Sequence, residues 1–247
     1  MASQLAVHFL PELTSQQELA GGCVVMIDVL RASTTICFAL AAGAKEVIPC
    51  LHIDDARELK RGFGDAGLTG GERKGLKIDG FDLGNSPREY LPEVVDGKTI
   101  LFTTTNGAKA LHACVGSHKI LVGGFVNLSL IVEAIRGEPN VHLLCAGTDG
   151  AVTREDVLLA GVLAEQLYLD QLSLCLNDSA QLAIDAWQGA TGGDRDPKRI
   201  HRCLQSSQGG RNLKAIGQES DIRVAAAVDM VPVVPVLDRA SWRIRLA

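Results

Sequence analysis

The chain has 247 residues, 47% of them hydrophobic, 21% charged and 4% aromatic, with a formal net charge of −5. That is enough apolar material for a full core of Val, Leu, Ile and Ala, in a single domain over residues 1–247 or with a lobe division near residue 170. The acidic balance argues against nucleic acid as the partner, because gripping a phosphate backbone needs a basic surface, while a small anionic ligand feels only local charge and stays open.

No apolar run is long enough to cross a bilayer. The closest, 228–237, is broken by Asp229, Pro232 and Pro235. The first ten residues lack the basic start and long apolar stretch of a signal peptide. Seven cysteines are scattered without a C-x-x-C pair. An odd count lying partly in apolar runs reads as reduced thiols in a cytoplasmic compartment, with no membrane partner.

In chain order, residues 5–10 predict a short edge strand. Residues 23–27 are an unbroken apolar run, the pattern of a strand buried on both faces. The run ends on Asp28, with Arg31 three residues later and the hydroxyls of Ser33, Thr34 and Thr35 behind it. A helix over 33–42 follows, with Gly43 beyond its end. Residues 46–51 predict a second strand and 54–63 a helix. Gly62, Gly64 and Gly67 match the dinucleotide-binding spacing, but they follow a helix instead of a strand, so a flexible loop is expected there. The polar, glycine-rich stretch 70–87 is long for a connection, and such loops are usually functional.

Residues 98–103 predict a strand that runs into Thr103-Thr104-Thr105-Asn106-Gly107 and a helix to 114. A strand over 119–125 and a helix to 136 come next. A further strand, 141–146, ends in Gly147-Thr148-Asp149-Gly150, and Thr153 to Asp156 opens a long helix to about 169 with a capping-box-like start. Helices over 172–188 and 198–205 are expected, with an exposed linker at 189–196. A glycine-rich turn at 206–213 and an edge strand at 231–236, where the prolines bar a central position, complete the expected layout. The alternation of strands and helices predicts an α/β fold, layered, with a mixed and largely parallel sheet.

In open α/β sheets ligands bind at the carboxyl ends of the strands. Four polar clusters belong there. They are Asp28 with Arg31; Glu72, Arg73, Asp82 and Asn85; Thr103 to Gly107; and Asp149 with Glu155 and Asp156. Each has a plain alternative: a solvated turn with an Asp–Arg pair, a structural loop, or acids favoured by a helix dipole. Together they supply hard oxygen ligands, arginines and helix-start donors, the set for a divalent hard cation and a multi-oxygen anion. Arg31, Arg73, Lys74 and Arg154 are the cations placed to hold that anion. The six histidines show no zinc spacing, and neither a nucleophile elbow nor a P-loop is present. Asp28 fits two roles, a nucleophile or a metal ligand that orients water. Leu30 stands where an Asp-x-Asp aspartyl-phosphate signature would carry its second acid.

At these residues the chain resembles the 2-phosphosulfolactate phosphatases. The likeness runs through Ile27-Asp28-Val29-Leu30-Arg31-Ala32, Gly71-Glu72-Arg73, Gly80 to Pro87, Thr103 to Gly107, Cys145-Ala146-Gly147 with Glu155-Asp156, and Gly209-Gly210 with Asn212-Leu213. The resemblance implies a Mg²⁺-dependent phosphatase that hydrolyses 2-phospho-3-sulfolactate to 3-sulfolactate and phosphate, a step toward coenzyme M. It points to Asp28, Arg31, Glu72 and Arg73 as catalytic. It points to Ser33, Thr34, Thr35, Asn85, Thr104, Thr105, Asn106 and Gly107 as substrate-binding. Asp28, Glu72, Asp82, Glu155 and Asp156 are the candidate metal ligands, two or three of which are expected to serve. The expected partner is a small-molecule anionic substrate, in a homo-oligomer. A phosphatase on another small phosphorylated acid, or a binding protein for an anionic metabolite, are the alternatives.

Overall fold

The computed structural model describes residues 3–247. Its strands are β1 (Gln4–His8), β2 (Cys23–Ile27), β3 (Glu46–Pro49), β4 (Gly67–Arg73), β5 (Leu76–Lys77), β6 (Thr99–Thr103), β7 (Lys119–Gly123), β8 (Asn140–Cys145), β9 (Cys175–Leu176), β10 (Pro235–Asp238) and β11 (Arg243–Leu246). Its helices are α1 (Gln16–Leu19), α2 (Ala32–Ala41), α3 (Ile53–Phe63), α4 (Pro92–Val95), α5 (Gly107–Ala113), α6 (Leu128–Ile135), α7 (Arg154–Asp170), α8 (Asp178–Thr191), α9 (Pro197–Ser206), α10 (Gln208–Ala215) and α11 (Glu219–Ala225).

All strands join one sheet in the order β5-β4-β6-β3-β11-β10-β7-β2-β8-β1-β9. Two parallel blocks make it up: β4-β6-β3, and β7-β2-β8-β1-β9. Between them lies the antiparallel C-terminal hairpin β10–β11, which meets β7 at Val236–Leu121 and β3 at Ile244–Val47. The sheet is therefore mixed and largely parallel, and the fold is a layered α/β one.

β2 is buried at every position because both of its faces are covered. Cys23, Val25 and Ile27 join a core with α6, α7 and α8. Val24 and Met26 point the other way, into a core with α2 and α5. This two-sided burial explains the run of apolar residues without polar alternation.

Several expectations are corrected. The 231–236 segment does not form an edge strand. The strand starts later, at Pro235, and sits in the middle of the sheet. Proline is tolerated there because it occupies the strand's first position, where a missing N–H costs least. Gly67, Gly70 and Gly71 are not loop residues but part of β4. Gly71 has φ 137°, and a side chain on it would collide with the Thr103 carbonyl of β6, so only glycine lets the two strands meet here. Residues 206–213 are not a turn, since most of them form α10. The expected helix from 172 begins instead with the two-residue strand β9. α8 then extends to Thr191, into the stretch expected as a linker.

Candidate active site

β2 delivers Asp28 to the carboxyl end of the parallel block. Asp28 Oδ1 accepts the Ala32 N–H (3.1 Å), and the Ser33 N–H and hydroxyl donate to the Asp28 carbonyl at 2.9 and 2.8 Å. These bonds fix the turn into α2. A Cβ on Gly107 would stand 2.9 Å from Asp28 Oδ2, so a bare glycine is what lets α5 start beside the carboxylate.

Asp28 opens onto a cleft of about 310 Å³ whose lining includes Arg31, Glu72, Lys74, Asn85, Thr104, Thr105, Asn106, Asp149 and Asn212. Asp28, Thr104 and Asp149 thus share one rim, as the strand–turn–helix pattern leads one to expect. Arg31 is buried and held from two sides. Its Nη1 donates to Asp221 Oδ2 (2.8 Å) and its Nη2 to the Gly75 carbonyl (2.6 Å). Glu72 ties two loops together, accepting the Thr105 N–H at 2.8 Å and the Gly75 N–H at 2.7 Å. Among the described residues Asn85 Oδ1 and Thr105 Oγ are buried without a partner, although both residues line the cleft. Such orphaned groups cost free energy unless something else satisfies them.

The other candidates lie off the cleft wall. Ser33, Thr34 and Thr35 are buried, and their hydroxyls are spent inside the protein, on the carbonyls of Asp28, Val29 and Asn85. Gly107 shapes the start of α5 but does not line the cleft. Arg73 turns to the Glu72 carbonyl (2.7 Å) and Thr103 Oγ (3.0 Å), so it braces β4 against β6. Asp82 accepts both the N–H and the hydroxyl of Thr69 and lies 3.8 Å from Lys60, outside the cleft. Asp156 accepts the N–H groups of Val29 (2.9 Å) and Gly147 (3.0 Å), clasping the ends of β2 and β8. Glu155 packs against Gly209, one of the lining residues, and its Oε2 is buried without a partner among the described residues. Arg154 faces a different groove.

Asp221 on α11 carries no sequence motif. The signal available was an acid on the buried side of a helix, next to Ile222 and one turn from Ala225. It also accepts the Ser86 hydroxyl at 2.7 Å.

Burial raises the Asp28 carboxyl to about 7, with the charges of Glu72 and Glu155 adding to it and the Ala32 N–H and Arg31 opposing. Burial also raises Glu155, against the pull of Ser207 and Gly209. Asp156 is pushed up by burial and by its neighbours Glu155 and Asp28. A concentration of buried acids with raised pKa beside an arginine is a common mark of a functional site. Among the described residues no three His, Cys, Asp or Glu side chains are gathered closely enough to hold a metal by themselves. Mg²⁺ does not need that, because one or two carboxylates with waters and a substrate phosphate suffice. Asp28 and Glu155, whose Oε2 is free of a partner among the described residues, are hard oxygen donors of that kind.

Fold and site together define an α/β protein with a cleft lined by acids and an arginine at the carboxyl end of a parallel block. Residues 8–240 match the family model described as 2-phosphosulpholactate phosphatase. A protein of Pseudothermotoga lettingae named "Probable 2-phosphosulfolactate phosphatase" is 39% identical over 230 residues, covering 93% of this chain and 94% of that protein. Proteins of the same name from Caldanaerobacter subterraneus subsp. tengcongensis and Symbiobacterium thermophilum are 37% and 36% identical. Each match covers 89% of this chain, and 89% and 93% of the respective relative. The chain belongs to the 2-phosphosulfolactate phosphatase family.

Proposed function

We propose that this protein is a phosphoric monoester hydrolase that converts 2-phospho-3-sulfolactate to 3-sulfolactate and phosphate with the help of Mg²⁺. The observation that carries the reading is Asp28. It is a buried carboxyl at the end of β2, opening onto a cleft beside a buried arginine, in a chain that matches its family along almost its whole length.

Phosphate-monoester hydrolysis is among the slowest uncatalysed reactions, so charge neutralisation and positioning must do most of the work. Arg31 supplies a fixed guanidinium for the anionic substrate, oriented by Asp221. Asn85 and Thr105 offer unpartnered polar atoms to its remaining oxygens. Asp28 orients the attacking water toward the phosphorus. Asp28 and Glu155 would hold Mg²⁺, which, when bound, withdraws charge from the phosphoryl oxygens. A non-catalytic anion binder has no use for three carboxylates beside its ligand, since each repels it.

The seven free cysteines support a reducing, cytoplasmic setting.

The test is phosphate release from 2-phospho-3-sulfolactate, 2-phospholactate and 3-phosphoglycerate, with Mg²⁺ or with EDTA. Preference for the sulfonated substrate and loss of activity in EDTA are expected. Faster release from a substrate without a sulfonate would transfer the activity to another phosphorylated acid, and EDTA-resistant turnover would remove the metal.

A further inference from the structure

A second polar groove lies between the end of α8, the helix α9 and the start of α7. It has a volume of about 540 Å³ and is lined by Arg154, Arg199, Arg202, Cys203 and Ser206 with the backbone of residues 189–192. None of these residues lines the catalytic cleft. Arg199 Nη1 donates to the Thr191 carbonyl (2.8 Å), which holds its guanidinium at the groove wall. Arg154 Nη1 donates to Ser206 Oγ (3.2 Å). Among the described residues the one acid within 4 Å of these guanidinium groups is Asp194, 3.9 Å from Arg199 Nε, and Arg202 has no ion-pair or hydrogen-bond partner.

Three guanidinium groups in one groove repel one another, and a single weakly placed carboxylate does not offset them. Asp196 also lies in this segment, but its carboxylate caps α9 by accepting the Lys198 N–H, and Arg195 and Lys198 offset the two aspartates. A bound anion would relieve that repulsion. Arginine's planar fork favours phosphate, sulfonate or carboxylate oxygens, and three forks in one groove match an anion with more than one such group.

We propose that this groove is a second anion-binding site, taking a small polyanion with two oxyanion groups. The site is separate from the catalytic cleft and does not depend on the reaction assigned to it. The two are nonetheless neighbours in the chain. Arg154 directly precedes Glu155, and Ser206 directly precedes Ser207, whose side chain faces the Glu155 carboxylate. An anion that draws Arg154 away from Ser206 would therefore act on the backbone that packs around Glu155.

Inorganic pyrophosphate is the probe, titrated calorimetrically into the full chain in EDTA at low salt. Wild-type protein, Arg202→Glu and the cleft variant Arg31→Gln are compared. A pyrophosphate site is expected that weakens at least about tenfold in Arg202→Glu and persists in Arg31→Gln. Isotherms of Arg202→Glu that superimpose on wild type would overturn the proposal, as would loss of all binding in Arg31→Gln. The unmodified protein gives an independent reading by ¹⁵N NMR of the arginine side chains. Pyrophosphate should shift the Nε–H signals of Arg199 and Arg202, and unmoved signals would equally sink the site.

Discussion

Arg31 and Asp221 stand 190 positions apart in the chain and form a buried ion pair at 2.8 Å. The pair joins the turn after β2 to α11, and Ser86 donates to the other Asp221 oxygen. Removing one partner of a buried pair leaves the other charge uncompensated, which costs up to about 3–5 kcal/mol. Asp221→Asn is therefore expected to lower stability in urea unfolding. In the folded fraction it should raise KM more than it lowers kcat, because Arg31 keeps its charge but loses its aim. A variant with unchanged KM would show that Asp221 only supports packing.

The Asp28→Asn change is nearly isosteric, so the Ala32 N–H and the turn should survive it. Turnover should nevertheless fall by orders of magnitude while circular dichroism stays native. Near-normal kcat would take Asp28 out of the chemistry. The preferred role, orientation of water, carries a second expectation. Acid quenching of wild-type enzyme during turnover of ³²P-labelled substrate should leave no label on the peptide containing Asp28. Retained label would make it a nucleophile instead.

Asp28, Glu155 and Asp156 all have folded pKa values raised, first of all by burial. An acid raised in this way holds its proton more tightly folded than unfolded. Its contribution is therefore fully present below the ordinary carboxylate range, about 4, and is lost as pH rises toward the folded value, about 7 for Asp28. Calorimetry without added metal should show a Tm that falls between pH 5 and 8, and falls less in Asp28→Asn. Mg²⁺ should raise the wild-type Tm at pH 8 more than at pH 5, since only the ionised site attracts it. Equal effects at both pH values would place the ion elsewhere.

How far the sequence reveals this molecule depends on the distance over which each feature is decided. β2 is legible because burial on both faces leaves a local mark, five apolar residues in a row ending on Asp28. The cleft is legible in outline because Asp28 and the Thr104–Asn106 turn follow the apolar strands β2 and β6, and Glu72 lies at the end of the glycine-rich β4. The roles of Ser33, Thr34 and Thr35 are not, because a hydroxyl looks the same whether it serves a ligand or a nearby carbonyl. Glycines mislead for a related reason. Those at 70, 71, 209 and 210 resemble loop composition, yet they allow close approach, as where Gly209 packs on Glu155 and Gly210 on the Leu204 carbonyl. Asp221 and the central hairpin are invisible locally, since both depend on partners far along the chain.

That hairpin supplies the last prediction. Glu46 on β3 is buried and accepts from Arg243 and, at 3.0 and 2.7 Å, from Arg245 on β11, with Thr99 donating at 3.1 Å. Burial alone would raise its pKa, but the hydrogen bonds from Arg245 and Thr99 and the charges of Arg243 and Arg245 outweigh it and hold the carboxyl below its ordinary value. The register between β11 and β3 rests on one backbone pair, Ile244 with Val47. The Glu46 cluster is thus the main polar tie between the hairpin and the β4-β6-β3 block. A depressed folded pKa means that the stabilisation is present above the ordinary glutamate value, about 4.3, and is lost as pH falls through the folded one. Glu46→Gln should therefore destabilise the protein at pH 7 by on the order of 1–3 kcal/mol, the range for hydrogen bonds to charged groups, discounted because both arginines are partly exposed. The wild-type advantage should shrink as the solution is acidified below pH 4. Hydrogen exchange should show faster opening of the β10–β11 amides in the variant, with β2 and β8 unchanged. Uniform acceleration across the whole sheet would mean that the hairpin does not open on its own and that both parallel blocks depend on this tie.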